Sequence, residues 1–435
     1  MLWLTFSVKI PRMIKAILLG VISLFWLATS WAQTTKNVLF IGNSYTYVNN
    51  LPQLISNVAN SAGDQVIFDS SAPGGYTFEG HTTNSVTLDK ISQGDWDVVV
   101  LQEQSQRPAF PIGQIEAEVF PFAEMLDDLI NENNSCAETM FYMTWGRKNG
   151  DASNCGFYEP LCTYAGMDSL LSLRYQMMAE MNEAVVSPVG AVWHYIREQH
   201  PLIELYSSDE SHPSLAGSYA AACCFYTSIF RKDPQNITYE SGLNAIDAAN
   251  IRSAVSVVVF DSLQNWLIGT YDPMAEFSSS IVTGTTVQFT NTSENTTSYT
   301  WDFGDGETST EPNPTHTFAT NGDFTITLTA SQCDYVDSIE MQIDLTGSVG
   351  LSENHLNQPS KLEVFPNPAN DLINVTSILN FPYFVEIHTL GGQLIFSKQV
   401  TNSNSTLSIQ NLASGTYIFS ATNHQEMRRC LLVKN

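Results

Sequence analysis

Positive charge is the scarcest feature of this chain of 435 residues. Lysine and arginine number 18 against 44 aspartates and glutamates, which gives a formal net charge of −26. The sequence has no basic stripe to neutralise a phosphate backbone, which argues against a nucleic-acid partner. Charged residues make up only 14% of the chain. The acidity is therefore spread over a folded polar surface, as is typical of extracellular proteins.

Metal-binding spacings and long apolar runs are also missing. None of the seven cysteines lies in a Cys-x-x-Cys pair or in a Cys/His spacing typical of zinc. The sequence therefore implies no metal and no cofactor. No apolar run approaches the ~20 residues that span a bilayer, so we expect no transmembrane segment in the mature protein.

The N-terminal residues 1–32 have the layout of a signal peptide. From Met13, a candidate start, one lysine precedes an apolar stretch, and the small residues Ser30 and Ala32 form a cleavage site. A membrane anchor is the alternative, which the shortness of the apolar stretch disfavours. We expect this segment to be removed from an exported protein.

Export permits disulfides among the cysteines. Cys155 and Cys162 flank a short loop and are the first pair that we expect. Cys223 and Cys224 are adjacent in an apolar, helix-like run, which favours buried thiols.

Residues 33–270 alternate between strand-like and helix-like segments. The strand candidates have the length and apolarity of parallel-sheet strands, and they lie at 37–42, 65–70, 97–102, 139–144 and, more weakly, 188–193. Helical patterns between them include 112–132 and 166–184. This alternation predicts an α/β domain with a doubly wound parallel sheet.

The pattern changes after this domain. Residues 273–346 form short alternating segments rich in Thr, Ser and Val, which predict a small all-β sandwich. A polar linker follows at 347–360, and 361–435 has the pattern of a second small all-β domain.

The first strand runs directly into Gly-Asn-Ser, which places Ser44 just beyond its carboxyl end. Reactive groups gather at that edge of an open α/β sheet. A serine there can present its hydroxyl while its own N–H, in the first turn of the next helix, points to a developing oxyanion. Alone, Ser44 would more often be a helix N-cap, so a catalytic role requires a base.

His212 is the base that the sequence offers. It follows Asp209 by three residues in SSDESHPS, ahead of a long apolar helix-like run. That spacing lets a carboxylate hold one ring nitrogen while the other faces a nucleophile. His81, His194 and His200 also lie in this domain. Of these, His81 could line the pocket, although a structural role at a helix is favoured.

Together these motifs resemble the SGNH (GDSL-type) hydrolases over about 240 residues. The resemblance rests on IGNS after the first strand, a glycine-containing segment after the second, a polar residue after the third, and Asp-x-x-His near the end of the domain. It implies a flavodoxin-like fold with Ser44 as nucleophile, His212 as general base and acid, and Asp209 as the residue that orients the imidazole.

The resemblance also implies an oxyanion hole with three donors. Two are the N–H groups of Ser44 and of Gly75 in APGGYTFEGH. The third departs from the family pattern, because LQEQS stands where Gly-x-Asn-Asp is usual. Gln102 can donate a similar N–H from one methylene further out, with Gln104 and Ser105 as alternatives.

Three further residues near strand ends have more than one interpretation. Trp145 and Arg147 in TWGRKNG could contact substrate, and Arg147 could equally form a structural ion pair. Glu103 is a candidate acid, but no second carboxylate lies nearby in sequence to form a glycosidase pair. LQEQS, GGYTFEGH, TWGRKNG and HPSLAGSYAAAC together resemble a secreted branch of the superfamily found in Bacteroidota.

The two β domains carry signatures of their own. YTWDFGDGE at 299–307 resembles the PKD (polycystic kidney disease) domain, an immunoglobulin-like sandwich, which implies Trp301 in the core. Asp302 and Asp305 either bind calcium or stabilise turns. KLEVFPNPANDLINV is similar to the C-terminal sorting domain of type IX secretion cargo. It implies that this machinery is a partner, with export through the outer membrane.

The combined resemblance implies a secreted serine esterase. We expect it to remove small acyl groups, with acetyl as the first candidate, from an acylated glycan or a small ester through an acyl-enzyme. One alternative is a non-catalytic surface protein that retains the fold for glycan binding or adhesion. Another is an amidase or peptidase that uses the same triad. The complete set of Ser44, Asp209 and His212 favours a hydrolase.

Overall fold

The computed structural model describes residues 33–346, 362–376, 383–389, 394–400, 405–422 and 427–434. The predicted signal peptide at 1–32 and the predicted linker at 347–360 lie outside the described residues. Within the described ranges, no helix combines the length and the apolarity needed to cross a bilayer.

Five parallel strands form the centre of the N-terminal domain in the order β2-β1-β3-β4-β5. The strands are β1 (Thr35–Ile41), β2 (Gln65–Ser71), β3 (Val98–Leu101), β4 (Glu138–Tyr142) and β5 (Val185–Ser187). This is the flavodoxin-like order, in which the direction of strand addition reverses between β1 and β3. The predicted doubly wound α/β class is confirmed.

Helices connect these strands and cover both faces of the sheet. They are α1 (Ser44–Tyr47), α2 (Leu51–Ser61), α3 (Phe78–His81), α4 (Ser85–Ile91), α5 (Ile112–Glu118), α6 (Phe120–Asn133), α7 (Tyr164–Met181), α8 (Val189–Gln199), α9 (Leu215–Phe230) and α10 (Ala245–Val258). Alternate strand side chains enter two cores. Val38 and Phe40 pack with α2, α8, α9 and α10, whereas Leu39 and Ile41 pack with α6 and α7 on the other face.

The fifth strand begins earlier than predicted. The predicted position was 188–193, but the strand is Val185–Ser187, and most of the predicted segment belongs to α8. Val189, Val192 and Ile196 recur at helical spacing, and all three are buried. A short apolar run does not distinguish a buried strand from a buried helix, so the prediction was wrong here.

The predicted helix 112–132 is two helices rather than one. α5 ends at Glu118, and Pro121 occupies the first turn of α6. A proline is tolerated in a first turn but removes a hydrogen bond from a continuous helix. The other predicted helix, 166–184, corresponds to α7 with shifted ends.

Two all-β units follow, as predicted. The first has sheets in the orders β10-β7-β6 and β12-β11-β8-β9, and the second has β13-β14-β17 and β16-β15-β18-β19. The strands of the first unit are β6 (Phe277–Thr283), β7 (Thr286–Asn291), β8 (Ser298–Asp302), β9 (Thr308–Ser309), β10 (Thr315–Thr317), β11 (Asp323–Gln332) and β12 (Tyr335–Asp344). Those of the second are β13 (Glu363–Phe365), β14 (Leu372–Thr376), β15 (Tyr383–Thr389), β16 (Leu394–Val400), β17 (Ser405–Ser408), β18 (Gly415–Thr422) and β19 (Met427–Lys434).

The signature residues of the first β domain have structural contacts. Trp301 is fully buried in its core, as expected. Asp302 accepts a hydrogen bond from Gly304 N at 2.9 Å, and Asp305 accepts one from Glu307 N at 3.0 Å. Stabilisation of turns therefore accounts for both carboxylates. In the part of the chain that the structure describes, no cluster of metal-ligating side chains is found.

The cysteine predictions agree with the structure. Cys155 and Cys162 form a disulfide, which confirms that pair. Cys223 and Cys224 are free thiols buried in α9.

A second disulfide fastens the first β domain to the α/β domain. Cys136, just before β4, is bonded to Cys333, between β11 and β12. Beside it, the Arg231 guanidinium lies 4.8 Å from the centre of the Tyr335 ring and 3.3 Å from the carboxylate of Glu138, the first residue of β4. These contacts place the first β domain at the amino ends of the parallel strands.

Removal of this disulfide should weaken the junction. A bond that joins cysteines 197 residues apart restricts the unfolded chain by up to about 5 kcal/mol in the chain-entropy model. We expect Cys136→Ser/Cys333→Ser to unfold at lower temperature, with separate calorimetric transitions for the two domains. The matched control is Cys155→Ser/Cys162→Ser, which opens only a short loop and should give a smaller shift. An unchanged single transition in the variant without Cys136 and Cys333 would show that this disulfide does not stabilise the junction.

Candidate active site

Three side chains from distant parts of the chain meet at the carboxyl edge of the sheet. His212 Nε2 lies 2.8 Å from Ser44 Oγ, although the two residues are 168 positions apart. His212 Nδ1 lies 2.5 Å from Asp209 Oδ2. In this geometry the imidazole can accept the hydroxyl proton while the carboxylate holds the ring.

Ser44 is the first residue of α1, but it does not cap that helix. Asn43 is the N-cap, and its side-chain oxygen accepts a hydrogen bond from Tyr45 N at 3.2 Å. The N-cap alternative for Ser44 is therefore wrong, and its hydroxyl is directed to His212 instead. The Ser44 N–H belongs to the first turn, whose N–H groups have no acceptor within the helix.

The turn before Ser44 has no room for a side chain at Gly42. A Cβ there would overlap Thr46 Oγ1 and Gln102 Oε1. Gln102 Oε1 accepts hydrogen bonds from Asn43 N at 3.0 Å and from Thr46 Oγ1 at 2.9 Å. The glycine of the IGNS motif is thus required by packing.

Asp209 accepts several hydrogen bonds within its own loop. Its Oδ1 accepts from Ser207 Oγ at 2.8 Å and from the N–H groups of Ser211 and His212 at 3.1 and 2.9 Å. Partial burial raises the pKa of Asp209, but these hydrogen bonds and the one from the His212 ring outweigh it and hold the pKa well below its usual range. The carboxylate therefore stays ionised at neutral and mildly acidic pH.

A stack of aromatic rings holds the histidine loop in place. The Tyr45 and Trp145 rings stack at 4.8 Å, and Trp145 stacks on Trp193 at 3.7 Å. Trp145 Nε1 donates to Ser211 O at 3.1 Å, and Tyr45 Oη lies 2.7 Å from Ser211 Oγ. The Tyr45 ring also meets the His212 ring edge-on at 5.3 Å. Trp145 is fully buried, so it supports the loop and does not face substrate.

Arg147 forms a structural ion pair, one of its two predicted roles. Its Nη1 lies 3.1 Å from Oδ1 of Asp151, whose side chain is fully buried. Asn154 and Gln106 donate to the same carboxylate at 2.6 and 2.7 Å. Burial raises the pKa of Asp151, but the hydrogen bonds from Asn154 and Gln106 and the charge of Arg147 together lower it.

His81 also has a structural role. It is fully buried, its Nδ1 lies 2.8 Å from Thr87 Oγ1, and its Nε2 lies 2.8 Å from Gly42 O. Burial lowers the pKa of the imidazole, which favours the neutral ring. His81 therefore supports the turn before Ser44 from behind.

Gly75 lies in a tight turn beside α1. Tyr76 N donates to Pro73 O at 3.2 Å, and the φ of Gly75 is 70°, as position i+2 of a type II turn requires. A Cβ on Gly74 would lie 3.7 Å from Tyr47 Oη, whereas one on Gly75 would meet no atom within 4 Å. The turn thus borders open space next to the helix that begins with Ser44. The oxyanion role of its N–H remains a prediction.

The amide of Gln102, the expected third donor, is oriented by the backbone. Because Asn43 N–H can only donate, the atom that faces it is Oε1, and Nε2 then donates to Glu103 O. Gln102 is fully buried, and the donation of its second Nε2 N–H to an oxyanion remains a prediction. Of the two alternatives, Gln104 donates its side-chain amide to Gln106, whereas Ser105 is buried like Gln102 and stays an alternative.

A cavity of about 720 Å³ lies at a different place, the junction between the α/β domain and the first β domain. Asp127, Tyr271 and Tyr335 are among its lining residues, and no member of the Ser44–His212–Asp209 set is. This cavity is therefore separate from the candidate active site.

Two family models match the C-terminal part of the chain. Residues 271–343 match the PKD domain, and residues 363–434 match the secretion system C-terminal sorting domain. The chain carries both domains. Both signature-based predictions are confirmed, and the sorting domain indicates type IX secretion to the cell surface or the extracellular space. A search of curated proteins found no match.

Solved structures similar to the chain include hydrolases. A DUF4886 family protein from Bacteroides uniformis is 17% identical, with 53% of this chain and 95% of that one covered and a TM-score of 0.46. A protein from Slackia heliotrinireducens described as an SGNH hydrolase is 23% identical, with 45% and 100% covered and a TM-score of 0.38. The psychrotrophic esterase EstA from Pseudoalteromonas is 13% identical, with 45% and 97% covered and a TM-score of 0.33.

The lowered pKa of Asp209 predicts a pH-dependent contribution to stability. Its ionised form stabilises the fold above the unfolded-state pKa of about 4, and this contribution is lost as the pH falls through the lower folded-state pKa. We therefore expect the difference in free energy of unfolding between wild type and Asp209→Asn to be largest near neutral pH and to shrink below about pH 4. Urea unfolding at a series of pH values measures it, with the exposed Asp89→Asn as control. A difference independent of pH would contradict the assignment.

Proposed function

We propose that this protein is a secreted serine hydrolase that cleaves ester bonds. The observation that carries the proposal is the continuous hydrogen-bond chain from Ser44 Oγ through the His212 ring to Asp209. It lies at the carboxyl edge of the sheet, beside the point where the strand order reverses. That edge is where open α/β sheets bind their ligands.

In the proposed reaction, His212 Nε2 takes the proton of the Ser44 hydroxyl as Oγ attacks the ester carbonyl carbon. The negative charge that develops on the carbonyl oxygen is stabilised by the N–H groups of Ser44 and Gly75, with the remaining N–H of Gln102 as third donor. The imidazolium then gives its proton to the leaving alcohol, which leaves an acyl group on Ser44. Asp209 stays ionised and holds the Nδ1 side of the ring throughout.

Water completes the proposed cycle. His212 Nε2 takes a proton from a water molecule as its oxygen attacks the acyl carbon of Ser44. The second tetrahedral intermediate uses the same donors as the first. When it collapses, Ser44 Oγ regains its proton from the imidazolium and the carboxylic acid leaves.

We propose a small acyl group, acetyl first, carried on carbohydrate. The side chains of His212 and Asp209 are 34% and 48% exposed. The site is therefore open to solvent. A long acyl chain gains ~0.8 kcal/mol for each CH₂ that it buries, so an enzyme selective for such chains needs a deep apolar pocket. An open site suits a short acyl group on a bulky substrate, and export brings the protein into contact with extracellular glycans.

Replacement of the nucleophile tests the reaction class. We expect Ser44→Ala and His212→Asn to lower kcat/KM on p-nitrophenyl acetate by ~10³-fold or more, because neither retains a working nucleophile and base. His194→Asn is a matched control, since His194 Nδ1 also contacts an aspartate, Asp168, at 2.9 Å. Equal rates for wild type and Ser44→Ala would end the esterase proposal. Glycan-array binding without any turnover would instead favour a non-catalytic surface protein.

A series of acyl lengths tests the substrate class. We expect kcat/KM to fall from p-nitrophenyl acetate to the butyrate and the octanoate, because an open site gives a longer chain little apolar surface on which to bury its methylenes. The Ser44→Ala variant supplies the background rate for each ester. A preference for the octanoate would contradict the proposed acyl group. Release of acetate from an acetylated glycan, measured by coupled assay, tests the carbohydrate part.

A further inference from the structure

Two consecutive side chains after β3 contact the two turns that carry the proposed oxyanion donors. Gln102 and Glu103 are both fully buried. Gln102 is bonded to the turn that presents Ser44, and Glu103 is bonded to the chain just after Gly75. The pair therefore lies between two backbone segments that come from different strands of the sheet.

Gln102 holds the Ser44 turn from both sides. Its Oε1 accepts from the N–H of Asn43, the residue before Ser44, and from the hydroxyl of Thr46, two residues after it. Its backbone N–H also donates to Ile41 O at 2.9 Å. An acceptor that is bonded on both sides of the nucleophile restricts rotation of that turn.

Glu103 holds the Gly75 side. Its Oε2 accepts from Phe78 N, the first N–H of α3, at 2.9 Å, and its Oε1 accepts from Gln104 N. Burial raises the pKa of this carboxyl to about 7. A buried carboxyl is costly unless its oxygens are hydrogen-bonded, and both oxygens are bonded here to backbone N–H groups. These hydrogen bonds compensate for the burial of Glu103 and fasten its carboxyl to the chain after Gly75.

A direct contact links the two turns and closes the network. Asn43 Nδ2 donates to Tyr76 O at 2.9 Å. Asn43 precedes Ser44, and Tyr76 follows Gly75. The separation between the N–H groups of Ser44 and Gly75 is therefore controlled by this contact together with the side chains of Gln102 and Glu103.

We propose that Gln102 and Glu103 are a positioning pair that fixes the spacing of the Ser44 and Gly75 N–H groups. The inference rests on the proposed hydrolase, since this spacing matters when an oxyanion forms between the two donors. The positioning role of Gln102 acts through Oε1. It is separate from any donation by its remaining N–H.

Two replacements separate these roles of Gln102. A protonated glutamic acid in Gln102→Glu keeps both acceptor bonds at Oε1 and donates its O–H to Glu103 O, so it removes only the remaining N–H. Burial favours this neutral form. Gln102→Met has similar volume and removes every one of these bonds. A difference between the two variants therefore reports positioning alone.

We expect kcat on p-nitrophenyl acetate to be lower in Gln102→Met than in Gln102→Glu by ~10- to 10²-fold, the size of effect that follows from a misplaced catalytic group. KM should change by less than about threefold in both, since substrate binding in the ground state is not altered. Equal losses in the two variants would overturn the positioning role. A larger loss of kcat in Gln102→Glu than in Gln102→Met would also overturn the positioning role.

Thr46 provides an independent test of the positioning role, because its hydroxyl donates to Gln102 Oε1. We expect Thr46→Val to lower kcat and Thr46→Ser to restore it. Thr46→Val should add little in a Gln102→Met background, as residues that act through one contact are not additive. Full additivity would contradict the inference. Glu103→Gln, which places an NH₂ against one of two backbone N–H groups, should also lower kcat.

Hydrogen exchange distinguishes failure of this inference from failure of the proposed function. Mass spectrometry of a peptide that covers residues 39–47 reports the Asn43 N–H without any substrate. We expect faster exchange in Gln102→Met than in Gln102→Glu at equal Tm. Equal exchange would overturn the positioning role even if Ser44→Ala is inactive. Faster exchange in an enzyme whose ester hydrolysis does not depend on Ser44 would overturn the proposed function alone.

Discussion

The parallel pairing of β1 with β3 is the constraint on which the candidate site depends. Ile41 pairs with Leu101, so the next residues, Gly42 and Gln102, leave the sheet side by side where the strand order reverses. The glutamine fills the space that a Cβ at Gly42 would need. The chain after β1 therefore turns sharply, and the first residue of the following helix, Ser44, stands at the edge of the sheet with its hydroxyl available.

The proposed base reaches this edge by a different route. His212 comes from the loop before α9, and that loop is held by buried rings and not by the sheet. Tyr45 belongs to α1, the helix that begins with Ser44, and its ring packs on Trp145 while its hydroxyl contacts Ser211. Any shift of α1 is thus transmitted to the loop that carries His212. Buried aromatic rings therefore support the loop whose imidazole and carboxylate are partly exposed.

Strand periodicity and two short motifs were enough to predict the doubly wound sheet and the residues that meet at its edge. The fifth strand was misplaced because three apolar residues carry too little pattern to separate strand from helix. The cap at Asn43 was missed because asparagine and serine are both good caps, and only the backbone shows which one is used. The Cys136–Cys333 bond depends on how two domains pack, and the orientation of the Gln102 amide depends on one backbone N–H. Neither is encoded in local sequence.

The disulfide to Cys333 attaches the PKD domain at the amino ends of the strands, whereas Ser44 lies beyond the carboxyl ends of the same sheet. The disulfide and Ser44 therefore lie at opposite ends of the parallel sheet. A molecule bound over Ser44, as proposed, would first meet loops of the α/β domain. The attachment of the PKD domain therefore leaves the carboxyl edge of the sheet, with Ser44, to the loops of the α/β domain.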